Sequence, residues 1–353
     1  MLIDLHQDIG TSQDSSFPTY KQTSLGQIKR SGINLVGTTT YLRTALTDGS
    51  CPKDEQVVSF YEGIMESEDR FVLNRNDVYG DGLGLLLVQE GFSRPEPHNW
   101  EQAKEKIERL FKAGVRVLIP VYHGKQGDSP MGTSSKDGIK VQVGLTKLGK
   151  SVCERWLDLG GILDASHASP PTFEDMVEIC KHKNEPLIVS HTGSRKVVDE
   201  TRCLSGKQLE SLKELDDFLI GLGVSKVFLS QKGMFPGICY KLGLLISRYN
   251  LQLGNYILSK VRHPASLVDW KSSLSHFIWK VGSDHLALGS DLGGAISGLP
   301  QKYKNCEEIM PDMLELLKNN FAGLHEEIQF KNAERFLREN LPRDTKRTKP
   351  ERL

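Results

Sequence analysis

Apolar runs rich in β-branched residues alternate along the chain with amphipathic stretches. Eight of these runs have the length of a strand and are flanked by glycine or polar residues, a pattern typical of buried strands. The pattern therefore predicts eight strands separated by helices. They are expected at residues 2–9, 32–41, 82–91, 114–123, 160–168, 185–194, 225–230 (the weakest) and 285–294.

The amphipathic stretches between the strands have recognisable first and last residues. In residues 99–114, Asn99 is a suitable N-cap, apolar side chains recur on one helical face, and Gly114 ends the pattern. Residues 145–161 repeat this arrangement with Thr146 as the cap. Strands that alternate with helices of this length pair in parallel, and eight repeats predict a closed (β/α)8 TIM barrel. A doubly wound open sheet is the alternative.

One domain accounts for nearly the whole chain. No internal repeat or shift in composition marks a boundary, so we expect a single barrel over residues 1–342. The stretch 231–280 fits neither pattern clearly and is interpreted as an excursion between the seventh and eighth strands. Residues 343–353 contain five basic and two acidic residues, and we expect them to form a disordered basic tail.

Composition and charge exclude several classes of protein. Lys plus Arg and Asp plus Glu both number 45, so no net charge attracts nucleic acid or an anionic membrane. The six cysteines are scattered without a C-x-x-C pair, as in a reduced cytosolic protein. No signal-peptide pattern opens the sequence, and no apolar run approaches the ~18 residues of a membrane span. We therefore expect a cytoplasmic protein that binds neither nucleic acid nor membranes.

Histidines and carboxylates occur at the ends of the predicted strands. In the first strand, LIDLHQDI, His6 and Asp8 point to one face because side chains alternate along a strand. Taken alone, a His-x-Asp pair is more often exposed to solvent. Polar residues end later strands as well, and the full set is His6, Asp8, Glu90, His123, His167, His191 and Asp291.

One shared chemical role explains the seven polar residues at the strand ends better than seven unrelated roles do. In a (β/α)8 barrel the carboxyl ends of the strands surround one mouth, and the active site lies there. Isolated imidazoles and carboxylates are costly to bury among Val, Leu and Ile. Converging imidazoles and carboxylates suit Zn²⁺ or a similar divalent ion, and two such ions can activate water for hydrolysis. The other histidines are interpreted as structural or solvated: His98, His182, His263, His276, His285 and His325.

Several segments resemble motifs of one enzyme family. DLHQD (4–8) resembles the D-G-H-x-D opening of the membrane (renal) dipeptidase family, peptidase family M19, and QEG (89–91) resembles its E-G motif. GLTKLGKSVCERWLDLGGILDASHAS (144–169) is similar to its segment ending in D-x-S-H. PLIVSHTGSRKV (186–197) and VGSDHLALGSDLGG (281–294) are similar to its S-H-S and G-S-D-F-D-G segments. The resemblance implies a barrel of the metal-dependent hydrolase type.

The resemblance also implies a set of metal ligands. His6 and Asp8 would bind one divalent ion, and His167 and His191 a second. Glu90 would bridge the two ions, which are expected to be Zn²⁺. A hydroxide that bridges the ions would attack the amide carbonyl of a small dipeptide or N-acyl amino acid, which makes the protein a metallo-dipeptidase.

Three further residues acquire roles from the resemblance. Asp291 would be the acid/base that takes a proton from the nucleophile and passes it to the leaving nitrogen. His123 would bind the substrate by polarising the scissile carbonyl and would stabilise the oxyanion. Arg202 would pair with the substrate carboxylate, a role that suits a planar, two-pronged cation. The resemblance further implies a homodimer.

Two departures from the family pattern leave alternatives open. Phe92 replaces a small residue after the E-G motif, and Gly293 replaces the second aspartate of G-S-D-F-D-G. A lactonase or cyclic amidase of the wider amidohydrolase group is one alternative, disfavoured because those enzymes typically begin with H-x-H. A catalytically degenerate barrel that only binds metal is another. Asp4, on the same face as His6, is interpreted as a support for a ligand histidine.

Overall fold

The structure is a computed structural model that describes most of the chain. The described residues are 1–9, 22–39, 57, 61, 63–64, 69–92, 96–122, 130–135, 142–229, 246, 265–293, 299–300 and 303–343. His123, most of the stretch 231–280 and residues 344–353 lie outside this set, so what the sequence predicts for them stays a prediction.

The described residues form nine strands, and every paired strand runs parallel to its neighbours. Eight of them close into a barrel in the order β1-β2-β4-β5-β6-β7-β8-β9, because β9 pairs with β1 and β2 pairs with β4. The short β3 adds to the start of β4. The predicted (β/α)8 barrel is confirmed, and the open sheet is excluded. The strands are β1 (Ile3–Gln7), β2 (Leu35–Thr39), β3 (Arg70–Phe71), β4 (Gly84–Glu90), β5 (Val115–Ile119), β6 (Ile162–Asp164), β7 (Leu187–Thr192), β8 (Phe218–Leu222) and β9 (Leu286–Leu288).

Helices lie between and after these strands. The predicted N-caps are confirmed: the side chains of Asn99 and Thr146 accept hydrogen bonds from the backbone N–H groups of Gln102 and Gly149, each at 3.0 Å. Among the described residues no helix combines the length and apolarity needed to cross a membrane. The helices are α1 (Leu25–Arg30), α2 (Trp100–Lys112), α3 (Lys147–Asp158), α4 (Pro170–Lys183), α5 (Gly206–Leu212), α6 (Lys226–Leu229), α7 (Leu267–Val281), α8 (Cys306–Asn320) and α9 (Asn332–Asn340), with a 3₁₀ turn at Arg75–Val78 and a π turn at Glu327–Lys331.

The predicted seventh strand, residues 225–230, is wrong. Lys226–Leu229 forms the short helix α6, and the strand between β7 and β9 is β8, a few residues earlier. A Cβ at Gly221 in β8 would lie 1.9 Å from the carbonyl oxygen of Ser190, so the close approach of β8 to β7 requires glycine there. Gly221 interrupts the run of apolar residues by which a strand is recognised. The local pattern therefore favours the next apolar run, residues 225–230.

The two ends of the barrel differ in chemistry. At the amino-terminal end, Phe336 and Leu337 of α9 pack fully buried among interior side chains of the strands. Asn332 fixes this end by donating to the carbonyl oxygen of Leu286 at the start of β9 (2.9 Å). The polar residues that end the strands lie together at the opposite end, because parallel strands all direct their carboxyl ends to one mouth of the barrel.

Candidate metal centre

Three histidines and three carboxylates lie together at the carboxyl-terminal end of the barrel. All are buried except Asp291, which is half-buried. Their positions are His6 in β1, Asp8 just after β1, Glu90 at the end of β4, His167 after β6, His191 in β7 and Asp291 after β9. Polar side chains from five different strands are therefore directed to one place.

Glu90 occupies the centre of this cluster. Its Oε1 lies 2.7 Å from His167 Nε2 and 3.8 Å from both His6 Nε2 and His191 Nε2. The two Nε2 atoms of His167 and His191 are 3.1 Å apart. On the other side, His6 Nε2 is 3.6 Å from Asp8 Oδ1. One carboxylate oxygen thus lies close to three histidine nitrogens, and one of these histidines, His6, is also close to Asp8.

The donor atoms suit divalent ions. Two overlapping groups have ligand atoms that all lie within 4.8 Å of one another: His6, Glu90 and His191, and His6, Asp8 and Asp291. His6 Nε2 and Glu90 Oε2 are buried and have no hydrogen-bond partner among the residues that the structure describes. A buried polar atom without a partner costs about 1–3 kcal/mol, and a cation between these atoms would remove that cost. Imidazole and carboxylate are the N/O ligands that Zn²⁺ accepts.

Burial and mutual charge set the protonation of the cluster. Burial raises the pKa of Glu90 well above its ordinary value, and the charge of Asp8 adds to this effect. Burial and Asp8 likewise raise the pKa of Asp291 to about 7. Burial lowers the pKa of His191 well below its ordinary value, and the nearby His6 and Arg202 lower it further. His191 is therefore neutral and can offer a lone pair, while the crowded carboxylates favour the binding of cations.

His6 behaves differently from His191. Burial lowers its pKa, but the contact with Asp8 and the charge of Glu90 outweigh that effect and raise the pKa to about 9. The same carboxylates that would stabilise a proton on His6 would stabilise a metal ion at Nε2, since both are cations bound at that nitrogen.

Two site residues have a strained backbone. His167 has φ +67° and Asp291 has φ +57°, a left-handed conformation that is uncommon for residues other than glycine. Such residues cost about 1–3 kcal/mol each and cluster at functional sites. Backbone hydrogen bonds hold both in place: Ser135 N–H donates to His167 O (2.7 Å), and Asp291 N–H donates to His6 O (3.0 Å). In this conformation both side chains lie in the cluster.

Two buried aspartates brace the backbone beneath the site in the same way. Asp4 Oδ1 accepts from the N–H groups of His6 (3.3 Å) and Ser290 (2.8 Å). Asp164 Oδ1 accepts from the N–H groups of Ser166 (2.9 Å) and Ser190 (3.1 Å). Asp4 therefore holds the backbone of His6, a proposed ligand, and its contact is to the main chain and not to the ring. The sequence did not single out Asp164. Its pattern resembles that of Asp4, because each aspartate accepts from the backbone N–H two residues later, that of His6 for Asp4 and that of Ser166 for Asp164.

Arg202 lies beside the histidine pair. Its Nη2 donates to His167 Nε2 at 2.9 Å, and its guanidinium carbon lies 5.5 Å from the centre of the Phe228 ring. The guanidinium of Arg195 donates to three carbonyl oxygens of the loop that carries Arg202, those of Glu200 (3.3 Å), Thr201 (3.2 Å) and Cys203 (3.1 Å). These hydrogen bonds hold the loop in place on both sides of Arg202.

Other contacts at the site involve residues that the sequence did not single out. The Tyr122 ring lies 4.3 Å from the His167 ring, centre to centre, and the Thr39 hydroxyl donates to Asp8. The Ser190 hydroxyl contacts the rings of both His6 and His191. No pattern marks Thr39 or Tyr122, but Ser190 stands directly before a proposed ligand in S-H-T.

The two departures from the family pattern have structural reasons. Phe92 is buried within the hydrophobic core. Gly293 has φ +87°, and a Cβ there would lie 2.5 Å from the carbonyl oxygen of Asp8 and 2.8 Å from Thr23 Cγ2. Gly293 therefore lets the chain after β9 pass close to the backbone of a proposed ligand. Glycine at this position is a requirement of the local backbone.

The histidines interpreted as structural or solvated lie apart from the cluster where the structure describes them. His276 Nδ1 lies 2.8 Å from the Ser194 hydroxyl, and His285 stacks on Phe218 with ring centres 3.9 Å apart. His98 and His182 are exposed. His263 is outside the described residues.

Comparison with known proteins gives consistent findings. The model of the membrane dipeptidase family, peptidase family M19, matches residues 93–348. This range includes His167, His191, Arg202 and Asp291, whereas His6, Asp8 and Glu90 precede it. An uncharacterized dipeptidase of Schizosaccharomyces pombe is 23% identical over 255 residues, which are 70% of this chain and 50% of that protein. The chain thus spans about half the length of this curated relative.

Solved structures share the fold over nearly the whole chain. The probable dipeptidase PvdM from Pseudomonas aeruginosa superposes with a TM-score of 0.71 at 17% identity, covering 97% of this chain and 95% of that one. A metallo peptidase from Rhodobacter sphaeroides, liganded with a phosphinate mimic of the dipeptide L-Ala-D-Ala, gives a TM-score of 0.69 at 18% identity, with 97% and 99% covered. At these identities the likeness shows the fold alone.

Proposed function

Because the chain belongs to the membrane dipeptidase family, peptidase family M19, we propose that it is a metal-dependent dipeptidase. It uses two divalent ions, with Zn²⁺ as the expected ion, to cleave the amide bond of a small dipeptide or N-acyl amino acid. One observation carries the proposal: Glu90 Oε1 lies within 3.8 Å of the Nε2 atoms of three buried histidines, His6, His167 and His191.

We assign the proposed ligands to two sets that share one carboxylate. His6, Asp8 and Glu90 would hold the first ion, and Glu90, His167 and His191 the second. Divalent ions held there would supply Lewis-acid chemistry, because they polarise a carbonyl group and lower the pKa of water to near neutrality. The Thr39 hydroxyl and the backbone braces of Asp4 and Asp164 keep these side chains in place.

Asp291 is proposed as the acid/base. Burial and the neighbouring Asp8 raise its pKa to about 7, so near neutral pH this carboxyl group can both take and release a proton. The Ser225 hydroxyl donates to Asp291 Oδ2 at 3.1 Å and fixes the orientation of the carboxyl group. Asp291 thus receives a proton as the amide is attacked and delivers it to the leaving nitrogen.

Arg202 is proposed to bind the carboxylate of the substrate. A guanidinium can donate two parallel hydrogen bonds to a carboxylate, which fixes the distance of the scissile bond from the metal centre. The hydrogen bonds from Arg195 hold the loop of Arg202, and the Phe228 ring lies beneath its guanidinium. The R. sphaeroides relative carries a dipeptide mimic, which supports a dipeptide as the substrate class. His123 remains the predicted carbonyl-polarising residue.

Activity and metal content together test this proposal. Purified protein is analysed for bound metal, depleted with a chelator, reloaded with Zn²⁺ and assayed on L,L and L,D dipeptides beside a panel of lactones. We expect two ions per chain, dipeptide hydrolysis that returns with Zn²⁺, and the loss of both in His167→Ala. His182→Ala, at an exposed histidine far from the cluster, is the matched control and should change neither. Less than one ion per chain would refute the proposal. Hydrolysis of lactones alone would favour the lactonase alternative. Tight binding of metal without turnover of any substrate would favour the degenerate barrel.

Two further proposals concern the form of the protein in the cell. The family resemblance supports a homodimer, which sedimentation equilibrium would measure. The cysteines support a reduced, cytoplasmic location, because the described ones are free and buried: Cys153, Cys180, Cys203 and Cys306.

A further inference from the structure

The Ser190 hydroxyl lies between two imidazoles that would bind different ions. Its Oγ is 3.2 Å from His6 Nδ1 and 2.9 Å from His191 Nδ1. The centres of the two rings are 3.8 Å apart. All three side chains are buried, so no exchange with bulk water replaces these contacts. A single hydroxyl group thus touches one proposed ligand from each metal position.

The opposite nitrogen of each ring faces the proposed metal ions. His6 Nε2 and His191 Nε2 each lie 3.8 Å from Glu90 Oε1. A neutral imidazole carries one proton, so a ring that binds metal through Nε2 has its proton on Nδ1 and donates from there. If Ser190 donated its own proton to either Nδ1, that ring would carry its proton on Nε2 and could not bind a metal there.

The hydroxyl can serve both rings at once. A serine oxygen accepts two hydrogen bonds and donates one. Accepting from both Nδ1–H groups uses its two lone pairs, and its own proton can point to the Ser166 hydroxyl, 3.4 Å away. The hydrogen-bonding capacity of Ser190 therefore matches two metal-binding rings.

The backbone of Ser190 is held from both sides. Its N–H donates to Asp164 Oδ1 at 3.1 Å. A Cβ at Gly221 or Gly289 would lie 1.9 Å or 1.7 Å from its carbonyl oxygen, so the neighbouring strands approach it closely. Ser190 cannot move aside without disturbing β8 and β9, and the hydroxyl stays at its position between the rings.

We propose that Ser190 is a positioning residue that holds His6 and His191 together in the Nδ1–H form, and so couples the two metal positions through one hydroxyl group. The proposal rests on the proposed function, because only there do the two histidines bind different ions. It has a distinctive consequence. Removing the Ser190 hydroxyl weakens the binding of both ions. Removing a hydrogen-bond partner that contacts only one ligand histidine weakens the binding of one ion.

Zinc binding to three variants tests the proposal. The two stepwise affinities are measured by competition with a chromophoric chelator for wild type, Ser190→Ala, Ser190→Thr and Ser211→Ala. We expect Ser190→Ala to weaken both steps by about 10–100-fold, the usual effect of losing a partner of a ligand histidine. Ser190→Thr keeps a hydroxyl and should restore both. Ser211→Ala is the matched control, since the buried Ser211 hydroxyl donates to Glu174 (2.8 Å) and to no histidine that the structure describes, and its two affinities should stay close to those of wild type.

Nitrogen-15 spectra of histidine-labelled, zinc-loaded wild type provide a second measurement that needs no variant to fold. The rings of His6 and His191 should each show a protonated Nδ1 and a metal-bound Nε2. Ser190→Ala with both affinities unchanged, a loss confined to one step, or a metal-bound Nδ1 in His6 or His191 would overturn the proposal. If wild type bound no divalent ion, the proposed function itself would fail. If wild type bound two ions and Ser190→Ala bound them equally well, only the role of Ser190 would fail.

Discussion

Replacing Gly293 by alanine tests whether the backbone requires glycine at this position, where the family pattern has an aspartate. Gly293 has φ +87°, and a Cβ would lie 2.5 Å from the Asp8 carbonyl oxygen. Gly282 has nearly the same backbone angle, φ +85°, but a Cβ there meets nothing within 4 Å. Gly282→Ala is therefore the matched control, because it carries only the cost of a left-handed alanine, about 1–2 kcal/mol. Gly293→Ala carries that cost and also a clash with the main chain.

The clash has a second consequence at the metal site. Asp8 N–H donates to the Leu292 carbonyl oxygen at 2.7 Å, so relieving the contact at Gly293 displaces the segment that carries Asp8. We expect Gly293→Ala to lower the free energy of unfolding by about 1–3 kcal/mol more than Gly282→Ala, the usual range for overpacking. It should also weaken Zn²⁺ binding, which Gly282→Ala leaves unchanged. Denaturant unfolding followed by circular dichroism and zinc titration measure both effects. Equal stability and equal zinc affinity in the two variants would refute the argument.

Three other perturbations test separate parts of the structure. Arg195→Ala frees the loop of Arg202, so we expect KM for dipeptides to rise about tenfold with little change in kcat, the mark of lost substrate binding; a fall in kcat alone would contradict this. Phe336→Ala opens a cavity at the closed end of the barrel and should cost about 3–5 kcal/mol of stability while zinc affinity is unchanged; weaker zinc binding would show that the two ends are coupled. Removing metal with a chelator should lower Tm, because an ion present at 1,000 times its Kd stabilises the native state by about 4 kcal/mol. A Tm that is the same with and without Zn²⁺ would argue against a bound ion.

The strand–helix alternation and the two predicted N-caps could be predicted because they depend on local sequence. Asn99 and Thr146 each accept from a backbone N–H three residues away, and buried parallel strands are continuous apolar runs. The exception, β8, shows the limit of local patterns. Gly221 is required by the strand beside it, and that requirement is invisible in the sequence of β8 itself.

The candidate site divides in the same way. Polar residues at strand ends identified the cluster around Glu90, because parallel strands bring their carboxyl ends to one mouth. The supports were harder to foresee, since Ser190 and His6 are 184 positions apart and Arg195 acts only through the fold of its loop. The left-handed backbone of His167 and Asp291 also depends on contacts from other strands.

Anomalous scattering at the zinc edge, from crystals of the zinc-loaded protein, tests the central claim most directly. The account predicts two peaks that share the Glu90 carboxylate, one in contact with His6 and Asp8 and the other in contact with His167 and His191. A single peak, or two peaks of which neither touches Glu90, would contradict it.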